Sequence, residues 1–368
     1  MGVPYCIFNW YIKIVINSLF ITADEVGIQT GGGIVTNNEY LALKSFSNVD
    51  VLQRSDIMPP QNADNPFMID STALNKVTNL KPHLTHFYAG TFSNTIKKLK
   101  ENGSKISYTA AAHDRKTSIE EFNNLGYNYP WEHMSNDKIF ELYVNGYKEA
   151  DLLICPSTLS AKVMRSYGCT NEIVVIPHGV HIPTETTKIP NKFTVGYLGQ
   201  IGPDKGIIYL IKAWRQLNYT DAKLVFAGRS SIDLLPSIRS EGRGQIQLLG
   251  FVKSISELYN MTSIYVQPSV CEGFGIEVLE AMAYGRPVIV ADGAGAADVV
   301  TDGIDGFVVP KRNPSAIADK INWFYNNQHK IIDMGNMARE KALNYEWADI
   351  RRKYVDQWSK LLNVSTSI

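Results

Sequence analysis

Cysteine is scarce: Cys6, Cys155, Cys169 and Cys271 are the four in 368 residues, far apart, with no CxxC pair and no metal-ligand spacing. A disulfide scaffold and a cysteine-held metal are excluded, and reduced thiols in a cytoplasmic setting are expected. Excess charge of one sign is missing as well. Lys plus Arg and Asp plus Glu each number 36, no block of like charge runs through the chain, and no electrostatic footprint for nucleic acid results. No two aspartates stand two residues apart, so the D-x-D pattern that holds a metal-bound diphosphate is absent. H-E-x-x-H, G-x-S-x-G and EF-hand patterns are absent too, and no metal site is expected. A long unbroken apolar run is also lacking. Val3 to Ala23 comes nearest, but Asn9, Lys13 and Asn17 interrupt it and no small-residue cleavage site is clear. It reads as a short extension followed by a buried first strand, Tyr11 to Asn17, with an N-terminal anchor as the alternative. Lys97, Lys98, Lys100 and Lys105 cluster around a predicted helix as a solvated face, which leaves membrane attachment at most peripheral.

What is present is ordinary globular composition, 45% apolar and 20% charged, over a length that suits two domains. Strand-like runs alternate with helical ones: YIKIVIN, DVLQ, LTHFYA, KISYTAAA, LLICPS and EIVVIP, then FTVGYLG, KLVFAG, IQLLG, SIYVQPS, PVIVAD and GFVVP. Several are apolar on both faces, as a parallel strand covered by helices on each side must be. The expected class is α/β, with two open, doubly wound sheets. Between the series lies HIPTETTKIPNK, His181 to Lys192, polar and without helical period. Domains at 1–185 and 186–345 follow, and Trp347, Ile350, Tyr354, Val355 and Trp358 at helical spacing make 346–368 an amphipathic helix. Ser254 with Glu257 reads as a capping box, and Asn313-Pro314 as a helix start.

The densest signal is Cys271 to Val290, CEGFGIEVLEAMAYGRPVIV. Glu272 and Glu280 are separated by seven residues, with Gly273-Phe274-Gly275 between them and a helix opening near Ile276. Ile276, Leu279 and Ala283 form its core stripe, and Glu280 lies one turn in, beside that stripe. The glycines leave backbone N–H groups uncovered at a helix N-terminus, where the partial positive charge favours an anion such as a diphosphate. Glu272 and Glu280 would accept hydrogen bonds from sugar hydroxyls on either side of it. The plainer alternative is that Glu277 and Glu280 complement the helix dipole and Glu272 is solvated.

This stretch resembles retaining glycosyltransferase family 4, of the GT-B fold, whose E-x(7)-E signature Glu272 and Glu280 match. The resemblance is specific from Gly196 to about Ala342 and looser before that. It implies that Glu280 holds a donor ribose, that Glu272 sits by the donor sugar, and that the backbone at Gly273, Phe274, Gly275 and Ile276 meets sugar and phosphate. It also implies a C-terminal helix that crosses back to the first domain, an acceptor held by the N-terminal domain, and no cofactor beyond the nucleotide sugar.

A second element, GYLGQIGPDKG, is a glycine-rich turn after an apolar strand. Gly199 and Gly202 let main chain approach a phosphate, and Lys205 supplies a cation for the leaving diphosphate. The family usually carries an arginine where Gln200 stands, which removes a bidentate fork. Backbone near Gly202, or Arg229, is expected to replace it, and Phe251 completes the donor-binding set. In the first half, Gly31-Gly32-Gly33 opens a helix, and His113-Asp114 follows KISYTAAA at a carboxyl edge where open sheets bind ligands. The resemblance turns His113 toward the donor sugar. His178 and His181 are hinge residues without chemistry. Tyr127, Tyr129, Trp131 and His133 form an aromatic cluster for packing or acceptor stacking.

The resulting expectation is a metal-independent hexosyltransferase that moves a sugar from a UDP-, GDP- or ADP-sugar to an acceptor hydroxyl with retention, the catalytic set being Glu272, His113 and Lys205. The acceptor would be a glycan, a lipid-linked sugar or a small molecule. Alternatives are a GT-B-like nucleotide-sugar epimerase and an inactive nucleotide-sugar binding subunit, the latter favoured by Gln200.

Overall fold

The computed structural model describes residues 15–27, 30–57, 66–110, 114–130, 135–184, 188–230 and 245–365. In chain order the first half runs β1 (Asn17–Thr22), α1 (Gly31–Phe46), β2 (Asn48–Leu52), α2 (Arg54–Ile57), α3 (Pro66–Val77), β3 (Leu84–Tyr88), α4 (Ser93–Glu101), β4 (Lys105–Thr109), α5 (Arg115–Asn124), α6 (Asp137–Glu149), β5 (Leu152–Cys155), α7 (Thr158–Ser166) and β6 (Glu172–Val175). The second half runs β7 (Thr194–Leu198), α8 (Ile207–Leu217), β8 (Lys223–Ala227), β9 (Ile246–Gly250), α9 (Ile255–Tyr259), β10 (Ile264–Gln267), α10 (Ile276–Ala283), β11 (Val288–Ala291), a 3-10 turn (Gly295–Val299), β12 (Gly306–Val309), α11 (Pro314–Asn326), α12 (His329–Leu343) and α13 (Trp347–Leu362).

These strands form two six-stranded parallel sheets, ordered β2-β1-β3-β4-β5-β6 and β12-β11-β10-β7-β8-β9. Strand order reverses between β1 and β3 in one sheet and between β7 and β10 in the other, the points where a doubly wound sheet opens a crevice at its carboxyl edge. β3, β5, β7, β10 and β11 are buried along their whole length, which is why they read as apolar on both faces. Each sheet has a core on both sides, with α8 and α11 over one face of the second sheet and α10 over the other.

Three local expectations need correction or fall away. The first strand is not Tyr11–Asn17 but Asn17–Thr22. Residues up to 14 lie outside the described residues, and the run NSLFIT takes the sheet position because its register puts Leu19, Phe20 and Ile21 in the core. Ser254 does cap α9 in position, but its hydroxyl meets Ser256 Oγ at 2.7 Å, so the capping box with Glu257 does not form. Trp131 and His133 lie outside the described residues. Tyr127 packs against the second core and Tyr129 stands edge-on to Phe122, 5.3 Å between centroids. Asn313 does cap α11, accepting from Ala316 N at 3.0 Å ahead of Pro314. Lys98 and Lys100 pair with Glu101 and Asp151.

After the second sheet the chain returns to the first. α13 packs Tyr354, Val355 and Trp358 into the core shared with Phe20, Leu84 and Ile154. A buried polar chain anchors it. Tyr354 donates to Glu39 (3.0 Å), Glu39 pairs with His86 (3.3 Å), and Trp358 Nε1 donates to Ser107 (3.0 Å). Such groups are tolerated in a core only when each finds a partner, so they fix where this helix docks. No helix among the described residues is long and apolar enough to cross a membrane.

Candidate functional site

The loops after β7 and β10 lie at the switch point of the second sheet and are bound to each other. Val270 N and Cys271 N both donate to Asp204 O, at 2.9 and 3.2 Å. The loop after β10 is also held from its other side, with Glu272 N on Gly293 O (2.9 Å), Gly295 N on Glu272 O (3.0 Å) and Ala296 N on Phe274 O (2.8 Å). Gly275 then starts α10 from a left-handed conformation, φ +95°, which a side chain would strain. No side chain of the N-cap residue satisfies this helix's first amides, and in its first turn the Glu277 N–H is met by the Glu277 carboxylate itself.

The turn after β7 is equally constrained. Gly199 N donates to Ala227 O (3.0 Å) and Ile201 N to Arg229 O (2.8 Å). Gly228 lies so close beneath it that an added Cβ would stand 1.8 Å from Gly199 O. Gln200 is exposed, and its carbonyl accepts from Tyr197 OH at 2.7 Å. Gly202 is buried. The Arg229 guanidinium lies 5.0 Å from the ring centre of Phe251, an exposed aromatic, so both stand at the rim beside this turn.

Lys205 reaches across to Glu272 and forms an ion pair between the two loops. Burial opposes its charge, but Glu272 and Asp204 outweigh burial and hold it protonated. Burial pushes Asp204 up to about 6, with Lys205 opposing and Glu272 adding. Glu280, one turn into α10, is pushed up to about 8, first by burial and then by the charge of Glu277. Tyr259 OH, 3.5 Å away, acts against that. Glu277, which sequence reasoning gave only a dipole role, stands in the same group, and burial and Glu272 push it up to about 7. Asp204 and Glu277 were thus missed. The one signal for Glu277 was a second acidic residue three positions before Glu280.

The first domain faces this crevice with its own carboxyl edge. Ser157 and Ser160, after β5, donate their hydroxyls to Gly273 O at 2.7 and 3.0 Å. Thr158 N and Oγ1 bind the Asp298 carboxylate at 2.6 and 2.8 Å, and Cys271 Sγ meets Asp114 O at 3.1 Å. Asp114 itself caps α5. His113 lies outside the described residues. Gly31, Gly32 and Gly33 do open α1, but Gly33 N is already taken by the Thr30 hydroxyl at 3.0 Å, and Gly32 packs on the Asp24 carboxylate, where a Cβ would come within 2.8 Å. His178 is buried with its ring 5.2 Å from Phe274, and burial lowers it to about 4, so it is a neutral packing residue at the hinge. Among the predicted residues, Lys205, Glu272, Gly273, Phe274, Gly275, Ile276 and Glu280 come together around the α10 N-terminus. Gly199, Gln200 and Gly202 border them, Arg229 and Phe251 stand at the rim, and the three glycines of α1 lie in the first domain.

Residues 182–341 match the family model for glycosyl transferases group 1. A capsular polysaccharide biosynthesis glycosyltransferase of Staphylococcus aureus is 32% identical over 42% of this chain and 42% of its own length. Two uncharacterized glycosyltransferases of Methanocaldococcus jannaschii are 32% and 29% identical, and the aligned stretch spans 43% and 56% of their length. The chain therefore spans about half the length of the curated relatives it matches. Sucrose-phosphate synthase from Thermosynechococcus elongatus superposes with a TM-score of 0.80 at 16% identity, over 95% of this chain and 100% of that one. The Anabaena protein HepE, solved in complex with UDP-glucose, superposes with a TM-score of 0.69 at 18% identity, over 94% and 100%. The fold is GT-B, two Rossmann-like units meeting at their carboxyl edges.

Proposed function

We propose that the chain is a glycosyltransferase that transfers a sugar from a nucleotide diphosphate sugar to an acceptor hydroxyl with retention at the anomeric carbon, without a metal ion. The observation that carries this reading is the convergence of Lys205, Glu272 and Glu280 on the uncapped N-terminus of α10, at the switch point of the second sheet and facing the first domain. A diphosphate placed there would meet the positive end of α10 and an ammonium held protonated. Glu280, largely neutral at pH 7, can both donate to and accept from ribose hydroxyls. Glu272 would exchange its bond to Lys205 for one to the donor sugar, which frees the ammonium for the phosphate.

Negative charge grows on the departing phosphate oxygen as the glycosidic bond breaks. Lys205 and the α10 amides are therefore the groups that bind the transition state more tightly than the ground state. The acceptor hydroxyl would approach from the first domain, and its proton would pass to the leaving phosphate on the same face. Docking of the Ser157 and Asp114 loops against residues 271–273 would exclude water that otherwise hydrolyses the donor. The proposed division is a donor domain over 186–345, an acceptor-side domain over 1–185, and a returning helix over 346–368, with His113 facing the donor sugar. Glycans, lipid-linked sugars and small alcohols are the acceptors to try, at the cytoplasmic face of a membrane or free in the cytoplasm.

A panel of UDP-, GDP- and ADP-sugars tested for thermal stabilisation of the purified protein identifies the donor. Proton NMR of the product, read for anomeric configuration, then tests retention. Inverted product would refute the stereochemistry, interconversion of donor sugars without acceptor would point to an epimerase, and no stabilisation by any of them would refute the donor site.

A further inference from the structure

We propose, on the donor-site reading above, that Glu277 is a third donor-facing carboxyl group and that it meets the diphosphate as the neutral acid, so that each donor bound takes up one proton from solvent. The starting point is crowding of like charge. Glu277 is the second residue of α10, its carboxyl is met by its own backbone N–H, and its Oε1 lies 3.6 Å from where a Cβ on Gly199 would stand. That places its carboxyl between the two phosphate-side loops. Facing it are Glu280 from its own helix, Glu272 from the loop after β10 and Lys205 from the turn after β7, with Asp204 beside Lys205 and Glu272. Tyr197 of β7, Tyr265 of β10 and Tyr259 of α9 also face it, and the Tyr259 hydroxyl donates to Glu277 O at 3.0 Å.

The single ammonium among these groups is already paired with Glu272. A dianionic diphosphate entering here meets four carboxyl groups, and at position 200 it meets an amide. An ionised Glu277 at this point would oppose the phosphate across a short, partly dry gap, where repulsion is poorly screened. The same group carrying a proton becomes an O–H donor to a phosphate oxygen, in the way a buried acid is used to hold an oxyanion. Burial and Glu272 outweigh Lys205 and Glu277's own amide, which favour the ionised form, and bring that state within reach near neutral pH, and an arriving anion pushes it further the same way. No bond of the donor breaks in this step: solvent supplies the proton and the carboxylate receives it. A Glu277 that serves only the helix dipole would stay ionised and leave the proton count at zero.

The test is calorimetric titration of the full chain with UDP-glucose, GDP-mannose and ADP-glucose in EDTA, at pH 6 and pH 8, in two buffers of different ionisation enthalpy. Nucleotide sugars are used because their diphosphate does not titrate in this range. At pH 8, uptake of roughly 0.9 proton per donor is expected, with affinity roughly tenfold weaker than at pH 6. In Glu277→Gln the uptake at pH 8 falls by most of a proton and the affinity difference between the two pH values shrinks, what remains being the share of Asp204 and Glu280. Binding by the unaltered chain without proton uptake, or uptake undiminished in Glu277→Gln, overturns the assignment while leaving the donor site standing. Failure of all three sugars to bind at both pH values refutes the donor site and this inference with it. A zero proton count in the unaltered chain overturns the assignment even if the variant does not fold.

Discussion

Glu121 holds the two domains together, and its removal gives a calculable effect. It sits on α5 of the first domain with its side chain 1% exposed, one oxygen accepting from Tyr209 OH at 2.5 Å and the other from Arg312 Nε at 2.7 Å, both in the second domain. A hydrogen bond to a charged group contributes about 1.5–3 kcal/mol when buried. Arg312 is 36% exposed and recovers water when released, so its share falls to about 1 kcal/mol or less. Glu121→Ala should therefore weaken docking by roughly 2–3 kcal/mol, about a 30- to 150-fold shift toward separated domains. The Ser157, Ser160 and Thr158 bonds to Gly273 and Asp298 remain, so both domains stay folded.

Hydrogen exchange reports this directly. Faster exchange is expected at α5, at the start of α8 and in the 270–275 loop, with the strands unchanged. Small-angle scattering should show a larger radius that a saturating nucleotide sugar reverses. Glu121→Gln, which keeps an acceptor for Tyr209, should fall between the two. Exchange that accelerates in α5 alone, with scattering unchanged, would refute the reasoning and reduce Glu121 to a local core contact.

Lys205→Ala should lower kcat by at least about 100-fold, the loss of roughly 3 kcal/mol of stabilisation of the leaving phosphate, and Lys205→Arg by less. Steady-state kinetics check it, and an unchanged kcat would make the pair with Glu272 structural. Gly228→Ala and Gly103→Ala form a matched pair, since both glycines have positive φ (+137° and +93°) but a Cβ at Gly228 would lie 1.8 Å from Gly199 O and one at Gly103 meets nothing within 4 Å. Gly103→Ala should cost about 1–2 kcal/mol of strain, and Gly228→Ala should cost more and abolish stabilisation by nucleotide sugars in thermal melts. His178 is lowered by burial from 6.5 to about 4, so the unfolded chain binds more protons between these values and stability falls as pH drops through them. Urea melts should show about 2–3 kcal/mol lost on this account from pH 7 to pH 4.5, absent in His178→Asn.

The alternation of strands and helices could be read from sequence because each parallel strand is covered on both faces and so is almost wholly apolar. β3 is instructive, since LTHFY is buried at all five positions including His86, which needs Glu39 as a partner. The first strand was misplaced by one apolar run, because two such runs adjoin and only pairing with Leu84 to Tyr88 selects between them. Glu272, Glu280 and Lys205 were legible because their spacing lies within loops and one helix turn. Glu121 was not. RKTSIEEFNN reads as a polar surface helix, and the partners of its buried carboxylate, Tyr209 and Arg312, lie 88 and 191 residues away. Ser157 and Ser160 were hidden for the same reason, since their acceptor is a backbone carbonyl more than a hundred residues on.

That carbonyl links site geometry to domain docking. Gly273 offers its oxygen to the first domain while Glu272, one residue before, offers its side chain to Lys205, and Phe274, one residue after, packs on His178 at the hinge. Three consecutive residues therefore bind the opposite domain, the phosphate-side turn and the hinge. The Glu272 side chain can still turn about its own χ angles, so the Lys205 pair can break while the Gly273 and Phe274 contacts stay. Loss of the Ser157 and Ser160 bonds, in turn, exposes the Gly273 carbonyl one residue from the Glu272–Lys205 pair. If a donor that draws Lys205 away from Glu272 tightens docking, linkage requires that the docked form bind the donor more tightly by the same factor, which the scattering titration of Glu121→Ala reads directly.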